Sequence, residues 1–286
     1  RIVPTPIAEQ SFVGLGGGIA LEGTYRPVVE LMYADFSLVA ADQLFNQIAK
    51  ARHMYGDDSP VPLVLRTKCA LGGGYGSQHS MDPAGLYAAW PGWRIVAPST
   101  PFDYVGLMNS ALRCQDPVLV IEHVSLYTSK GAGPLEDFDY SIPLGKAKVV
   151  RQGSRLTVLT YLAMVPLAMQ IADDLGLDIE VIDLRSLDRA GLDWATIGAS
   201  IRKTNNVVVL EQGSQTASYG AVLTDEIQRR FFDWLDAPVG RICGGEASPV
   251  VSKVLERAAF VGPEEVREGY ARAFAEVGLE LDRVTV

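Results

Sequence analysis

Leu156-Thr157-Val158-Leu159-Thr160-Tyr161, the stretch Val165 to Leu175, and Ile179-Glu180-Val181-Ile182-Asp183-Leu184 follow one another with little between them. The outer two are near-continuous apolar runs of strand length, as expected of strands buried on both faces, and the middle one has the length of a helix. A strand, a helix and a strand so closely joined read as a βαβ unit, which is right-handed in nearly all proteins. Downstream, Asp193 to Arg202 predicts a helix, Val207 to Leu210 a strand, and Gly213 to Gly220 a polar, glycine-bearing loop. Tyr219 to Trp234 has the pattern of an amphipathic helix. Lys253 to Ala259 and Pro263 to Phe274 close the chain as helices.

Upstream, Tyr127 to Leu144 is rich in glycine, proline and acidic residues and has no sustained periodicity, which marks a linker. Before it lies a second alternating series. Pro6 to Leu21 is small and glycine-rich and reads as a tightly packed helix. Pro27 to Met32 predicts a strand, and Phe36 to Met54 a helix with Val39, Leu44, Ile48 and Ala49 on one side. Val61 to Leu65, Trp93 to Ala97 and Pro117 to Glu122 predict strands, with a helix over Asp103 to Arg113. The expected fold class is α/β: two three-layer α/β/α domains with mainly parallel sheets, over 1–126 and 151–286, joined by a linker over 127–150.

Of the 286 residues, 48% are hydrophobic and 21% charged, an ordinary globular balance. The net charge of −9 and pI near 4.9 speak against a nucleic-acid partner, which calls for a basic face. No apolar run approaches the ~18 residues of a membrane-spanning helix, so no membrane role is expected. Cys69, Cys114 and Cys243 are widely spaced and odd in number, which suits a reducing compartment and neither a disulfide framework nor a zinc site. The expected location is cytoplasmic, or the mitochondrial matrix in a eukaryote.

Chemistry points first to Gly72-Gly73-Gly74-Tyr75-Gly76-Ser77-Gln78-His79-Ser80, which carries one of only three histidines. Glycines at this density allow positive φ and close approach of the backbone to another molecule, and an imidazole there can act on it. Taken alone, a surface loop with an incidental histidine is the simpler reading. In an open α/β sheet, however, ligands bind outside the carboxyl ends of the strands. This loop, the Tyr33-Ala34-Asp35-Phe36 turn and Thr5-Pro6-Ile7-Ala8-Glu9 all fall at such ends. The sequence has no phosphate loop of the Gly-x-x-x-x-Gly-Lys type, no Gly-x-Ser-x-Gly elbow and no paired-histidine motif. A site shared with another chain is therefore expected.

Several segments in order carry a family resemblance: Thr5 to Glu9, Pro27 to Phe36, Gln78-His79-Ser80, Pro91-Gly92-Trp93-Arg94-Ile95-Val96-Ala97-Pro98-Ser99 and Val181-Ile182-Asp183-Leu184-Arg185. Together they resemble the β subunit of the thiamine-diphosphate-dependent 2-oxo acid dehydrogenases (pyruvate, branched-chain and acetoin enzymes) of the transketolase-like superfamily. The resemblance implies a transketolase-like pyrimidine-binding domain followed by a transketolase C-terminal domain. It implies that the Glu9 carboxyl hydrogen-bonds a ring nitrogen of the cofactor's aminopyrimidine, and that Phe36 stacks on that ring with Tyr33 and Ile7 beside it. It implies that His79 faces the substrate and assists acyl transfer, with Gln78 and Ser80 positioning it. His53 and His123 lack such a context and read as a surface residue at a helix end and a structural residue.

The same resemblance assigns no metal to this chain. The family's Gly-Asp-Gly motif, which holds diphosphate and Mg2+, lies on an α-type subunit, so an α2β2 heterotetramer sharing thiamine diphosphate is implied, together with a lipoyl-bearing acyltransferase as acyl acceptor. The chain would be active only with that partner. The sequence also departs from the pattern. Only four residues precede Thr5, where relatives carry an amphipathic helix and a first strand, so a chain shortened at its N-terminus is expected; processing, a split gene and a fragment are the open explanations. Cys114-Gln115-Asp116 replaces residues that bind a structural potassium ion in some relatives, and Glu246-Ala247-Ser248-Pro249 replaces the usual Asp-x-Pro-x-Pro run. A non-catalytic structural homologue is the alternative function, and a small flavodoxin-like module a third.

Overall fold

The computed structural model describes residues 1–56, 58–133, 136–216 and 218–279. Parts of the expected linker (134–135) and of the expected loop (217), and the end of the second domain (280–286), lie outside the described residues. In chain order the first half contains α1 (Glu9–Glu22), β1 (Val28–Glu30), α2 (Ala51–Tyr55), β2 (Val64–Cys69), α3 (Ala84–Ala89), β3 (Arg94–Val96), α4 (Pro101–Arg113) and β4 (Val118–His123). The second contains β5 (Lys148–Arg151), β6 (Leu156–Thr160), α5 (Met164–Asp174), β7 (Ile179–Asp183), α6 (Trp194–Thr204), β8 (Val207–Ser214), α7 (Tyr219–Phe231), β9 (Gly240–Gly244), α8 (Lys253–Glu256) and α9 (Pro263–Glu276).

The first sheet has the order β1-β2-β4-β3 and is parallel throughout. The second has the order β5-β7-β6-β8-β9, with only the edge strand β5 antiparallel. Every residue of β4, β6 and β7 is buried, as expected where helices cover both faces of a sheet.

Local chemistry sets the helix ends. Thr100 caps α4 by accepting from the Asp103 N–H at 3.1 Å, with Pro101 in the first turn, where a missing N–H costs nothing. Asp193 caps α6, which stops at Asn205 in the left-handed region (φ 56°). At α9 the Glu265 carboxylate accepts from the Gly262 N–H at 2.7 Å.

The expected continuous helix over Phe36 to Met54 is broken into three. A 3-10 segment (Ala34–Leu38) leads to a π-helical segment (Asp42–Ile48) and then the short α2. Ser37 is buried and accepts from the Tyr87 hydroxyl at 3.0 Å, which fixes the first turn, and the wider turn that follows still buries Leu44, Phe45 and Ile48. α1 packs against this segment through its glycines: a methyl on Gly17 would lie 2.8 Å from Ile48 Cγ1.

The two halves are joined along a polar seam. Val96 and Ser186 form an antiparallel bridge, flanked by Ala97 N–H to Arg185 O at 2.8 Å and Leu187 N–H to Ile95 O at 2.9 Å. Arg94 pairs with Asp188 (2.9 Å), the Ser99 hydroxyl donates to Asp183 (2.5 Å), and Arg185 pairs with Asp103.

Candidate active site

β1 and β2 run parallel and adjacent, so the segments leaving them emerge on one edge of the sheet. From β1 comes the turn with Tyr33, Asp35 and Phe36; from β2 comes the glycine turn that ends in His79. Four rings meet there. The His79 imidazole lies edge-on to Tyr33 (centroids 4.4 Å apart) and to Phe36 (5.5 Å), while Tyr75 lies 5.7 Å from Tyr33 and 6.4 Å from His79. Such spacings are those of favourable aromatic pairs. The ammonium of Lys68 sits over the Tyr33 ring at 4.9 Å.

The loop is pinned from within and without. Ala70 N–H donates to the His79 carbonyl (3.0 Å), and the buried Ser80 hydroxyl donates to the Gly76 carbonyl (2.9 Å). Gly72, Gly74 and Gly76 have φ of 82°, 77° and 82°, where a side chain would be strained. The carboxylate of Glu256, buried in the second half, accepts from the N–H groups of Gly72 (2.9 Å) and Gly74 (2.7 Å). Ser77 donates to the Pro249 carbonyl at 2.6 Å.

Burial pushes the Asp35 carboxyl above its ordinary range, an effect opposed by the Met81 N–H (3.3 Å) and by the His79 charge. The Tyr33 hydroxyl is likewise raised, first by burial and then by Tyr75.

The structure thus brings Tyr33, Phe36 and His79 into one cluster and places Ser80 as a brace beneath it. Gln78 is exposed. Glu9 is the first residue of α1, half-buried, while Ile7 is 76% exposed on the segment before it; neither belongs to the ring cluster. The residues expected to be incidental fall elsewhere: His53 is exposed on α2, and His123 is buried at the end of β4, where its Nδ1 accepts from the Ser125 N–H at 3.2 Å. Lys68, Asp35 and Glu256 were not among the expected site residues. Asp35 had a signal, since it stands beside Phe36; Glu256, 177 positions after His79, had none.

No group of three or more His, Cys, Asp or Glu among the described residues could hold a metal ion, and no helix there is long and apolar enough to cross a membrane. The ring cluster of Tyr33, Phe36, Tyr75 and His79 is chemically suited to a flat heterocycle, which packs on aromatic faces and edges.

Comparison with known proteins identifies the domains. Residues 1–130 match the transketolase pyrimidine binding domain and 145–266 the transketolase C-terminal domain, which defines a transketolase-type two-domain chain. A solved structure described as split gene transketolase, inactive beta4 tetramer, superposes with a TM-score of 0.75 at 19% identity, covering 99% of this chain and 85% of that one. The pyruvate dehydrogenase E1 component subunit beta-1, mitochondrial, of Oryza sativa subsp. japonica is 38% identical across 96% of this chain and 74% of its own length. The 2-oxoisovalerate dehydrogenase subunit beta of Pseudomonas aeruginosa is 37% identical across 95% and 81%. The chain belongs to the family of β subunits of the thiamine-diphosphate-dependent 2-oxo acid dehydrogenases.

Proposed function

We propose that this chain supplies the pyrimidine half of a thiamine diphosphate site, completed by an α-type subunit that holds the diphosphate and Mg2+ in an α2β2 heterotetramer. The observation that carries this reading is the ring cluster of Tyr33, Phe36, Tyr75 and His79 at the exits of β1 and β2. Apolar side chains at Ile7, Leu15, Met32, Leu38 and Val39 are exposed on α1, the segment before it and the turn after β1, a surface of the kind a partner covers.

Thiamine diphosphate, when bound, supplies a nucleophilic carbon and an electron sink for loss of CO2 from a 2-oxo acid. Phe36 would hold the pyrimidine by stacking, with Tyr33 and Ile7 as the further residues that would bind it. Glu9 would hold a proton at a pyrimidine ring nitrogen, a task for which a carboxyl can serve in either protonation state. His79, held by its backbone and fronted by Tyr33 and Phe36, would orient the 2-oxo acid and assist acyl transfer to the lipoyl group of an acyltransferase. Gln78 and Ser80 set its position, Ser80 through the Gly76 carbonyl. The location proposed is the cytoplasm, or the mitochondrial matrix in a eukaryote.

The test is thiamine-diphosphate-dependent decarboxylation by the chain assembled with its α-type partner. Glu9→Gln should lower kcat about 10²- to 10⁴-fold, the usual worth of a positioned acid–base group. Full activity in that variant would remove the proposed role of Glu9. A wild-type assembly that binds thiamine diphosphate and turns over no 2-oxo acid would favour a non-catalytic structural subunit.

A further inference from the structure

We infer that Glu256 is a positioning residue for His79: the C-terminal half of the chain holds the catalytic loop in shape by inserting a carboxylate into its backbone. This rests on the proposed role of His79 and extends it to a residue outside the pyrimidine-binding half.

Successive N–H groups in a turn of alternating hand form a concavity that suits an anion. Gly72 and Gly74, both at positive φ, aim their N–H groups at the two oxygens of Glu256, at 2.9 and 2.7 Å. The carboxylate is only 1% exposed, so no water competes for it along that face. Charge-assisted hydrogen bonds of this kind are about twice as strong as neutral ones.

The grip continues along the loop. Ser77 donates to Pro249 O (2.6 Å), and Ser248 reaches the Ser77 hydroxyl at 3.1 Å. Methyl groups on Gly74 and Gly76 would lie 3.0 Å from Lys253 Cγ and 3.0 Å from Val251 Cγ1, so the segment before Glu256 lies flat against the turn. Glu256 is itself fixed, ending α8, whose N-cap Ser252 carbonyl accepts the Glu256 N–H at 2.8 Å.

The loop has little slack to absorb a loss of this contact. Its far end is tied to its start by Ala70 N–H to His79 O, and His79 N–H reaches Gly76 O at 3.4 Å. A change in the 72–76 turn is therefore transmitted to the imidazole. Glu256→Gln keeps the volume but leaves one acceptor oxygen for two donors and sets an amide N–H against a backbone N–H.

The test uses the assembled complex and the ring signals of His79 and His53. In the complex, Glu256→Gln should lower kcat about 10- to 100-fold, as expected for a displacement on the order of 1 Å. KM for thiamine diphosphate should stay within about twofold, since Phe36 and Glu9 lie off the loop. Introduced into His79→Ala, the same change should cost nothing further, because both act through one imidazole. By NMR the ring signals of His79 should move in Glu256→Gln while those of His53 stay in place. If Glu256→Gln fails to fold, Ser77→Ala, which removes the bond to Pro249, is read in the same way. Unmoved His79 signals, or additive losses in the double variant, would overturn the proposal. A wild-type complex without turnover would count against the proposed function alone, because the His79 signals still report on the clasp.

Discussion

Asp183 offers a test of the seam between the two halves. It ends β7 with no exposed surface; Oδ2 accepts from the Ser99 hydroxyl at 2.5 Å and Oδ1 from the Arg185 N–H at 3.0 Å. Burial, chiefly, pushes its pKa from the ordinary 3.8 up to about 7, with Asp103 adding to the rise and Ser99 and Arg185 opposing it. A raised folded-state pKa means that the native chain binds the proton more tightly than the unfolded chain. The resulting stability is complete below about pH 4, falls as the unfolded carboxyl ionises, and is gone once pH passes about 7. At 1.36 kcal/mol per pKa unit the whole span is about 4 kcal/mol, of which about 3 kcal/mol falls between pH 5 and pH 8. Asp183→Asn removes the titration and keeps the volume; its Oδ1 still accepts from Arg185, while Nδ2 replaces the oxygen that accepts from Ser99, whose hydroxyl must turn to accept instead. Urea unfolding followed by circular dichroism from pH 5 to pH 8 should show a wild-type loss, relative to the variant, of about 3 kcal/mol. A wild-type-minus-variant difference that stays flat across that range would show that Asp183 is ionised in the native chain, and the reasoning would fail.

Other expectations follow from single contacts. His123 is held down to about pKa 4 by burial, so its ring signals should not titrate between pH 5 and 8; the neutral form's contribution, about 3 kcal/mol, is present above the ordinary 6.5 and lost as pH falls toward 4. Gly92→Ala should destabilise the chain by about 3 kcal/mol or more in thermal unfolding, because φ is 123° and the new methyl meets the Ala49 carbonyl; a cost below about 1 kcal/mol would be inconsistent with that packing. Cys69 is fully buried and its thiol is pushed well up, so a thiol reagent should modify Cys114 and Cys243 in the native chain while Cys69 reacts only on unfolding.

What the sequence disclosed follows the strength of local pattern. The βαβ unit was legible because β6 and β7 are near-continuous apolar runs and α5 has the length of a helix; the structure moves their ends by at most one residue. β9 was missed: Gly240 and Gly244 flank Arg241-Ile242-Cys243, and only pairing with β8 makes that run a strand. β8 itself runs past the predicted end at Leu210, through Glu211 and Gln212 and into the predicted loop at Gly213 and Ser214; Glu211 is buried against Arg241 and Ser218. β5 lay in what read as a linker, and α3 in a stretch that carried no reading. The break in the helix after Phe36 depends on the contact between Ser37 and Tyr87, 50 positions apart, which no local periodicity contains. At the site, the family motifs pointed to Tyr33, Phe36 and His79, which the fold brings together. The Glu256 contact comes from tertiary packing and from nothing adjacent in the chain.

The bridge between Val96 and Ser186 carries a consequence for how the molecule can breathe. With backbone hydrogen bonds on either side and ion pairs at Arg94 and Arg185, the halves cannot swing apart without breaking ladder-type contacts. A clamshell motion, common where domains touch loosely, would have to break these contacts. With the seam linking them, heating should melt both sheets in a single cooperative event.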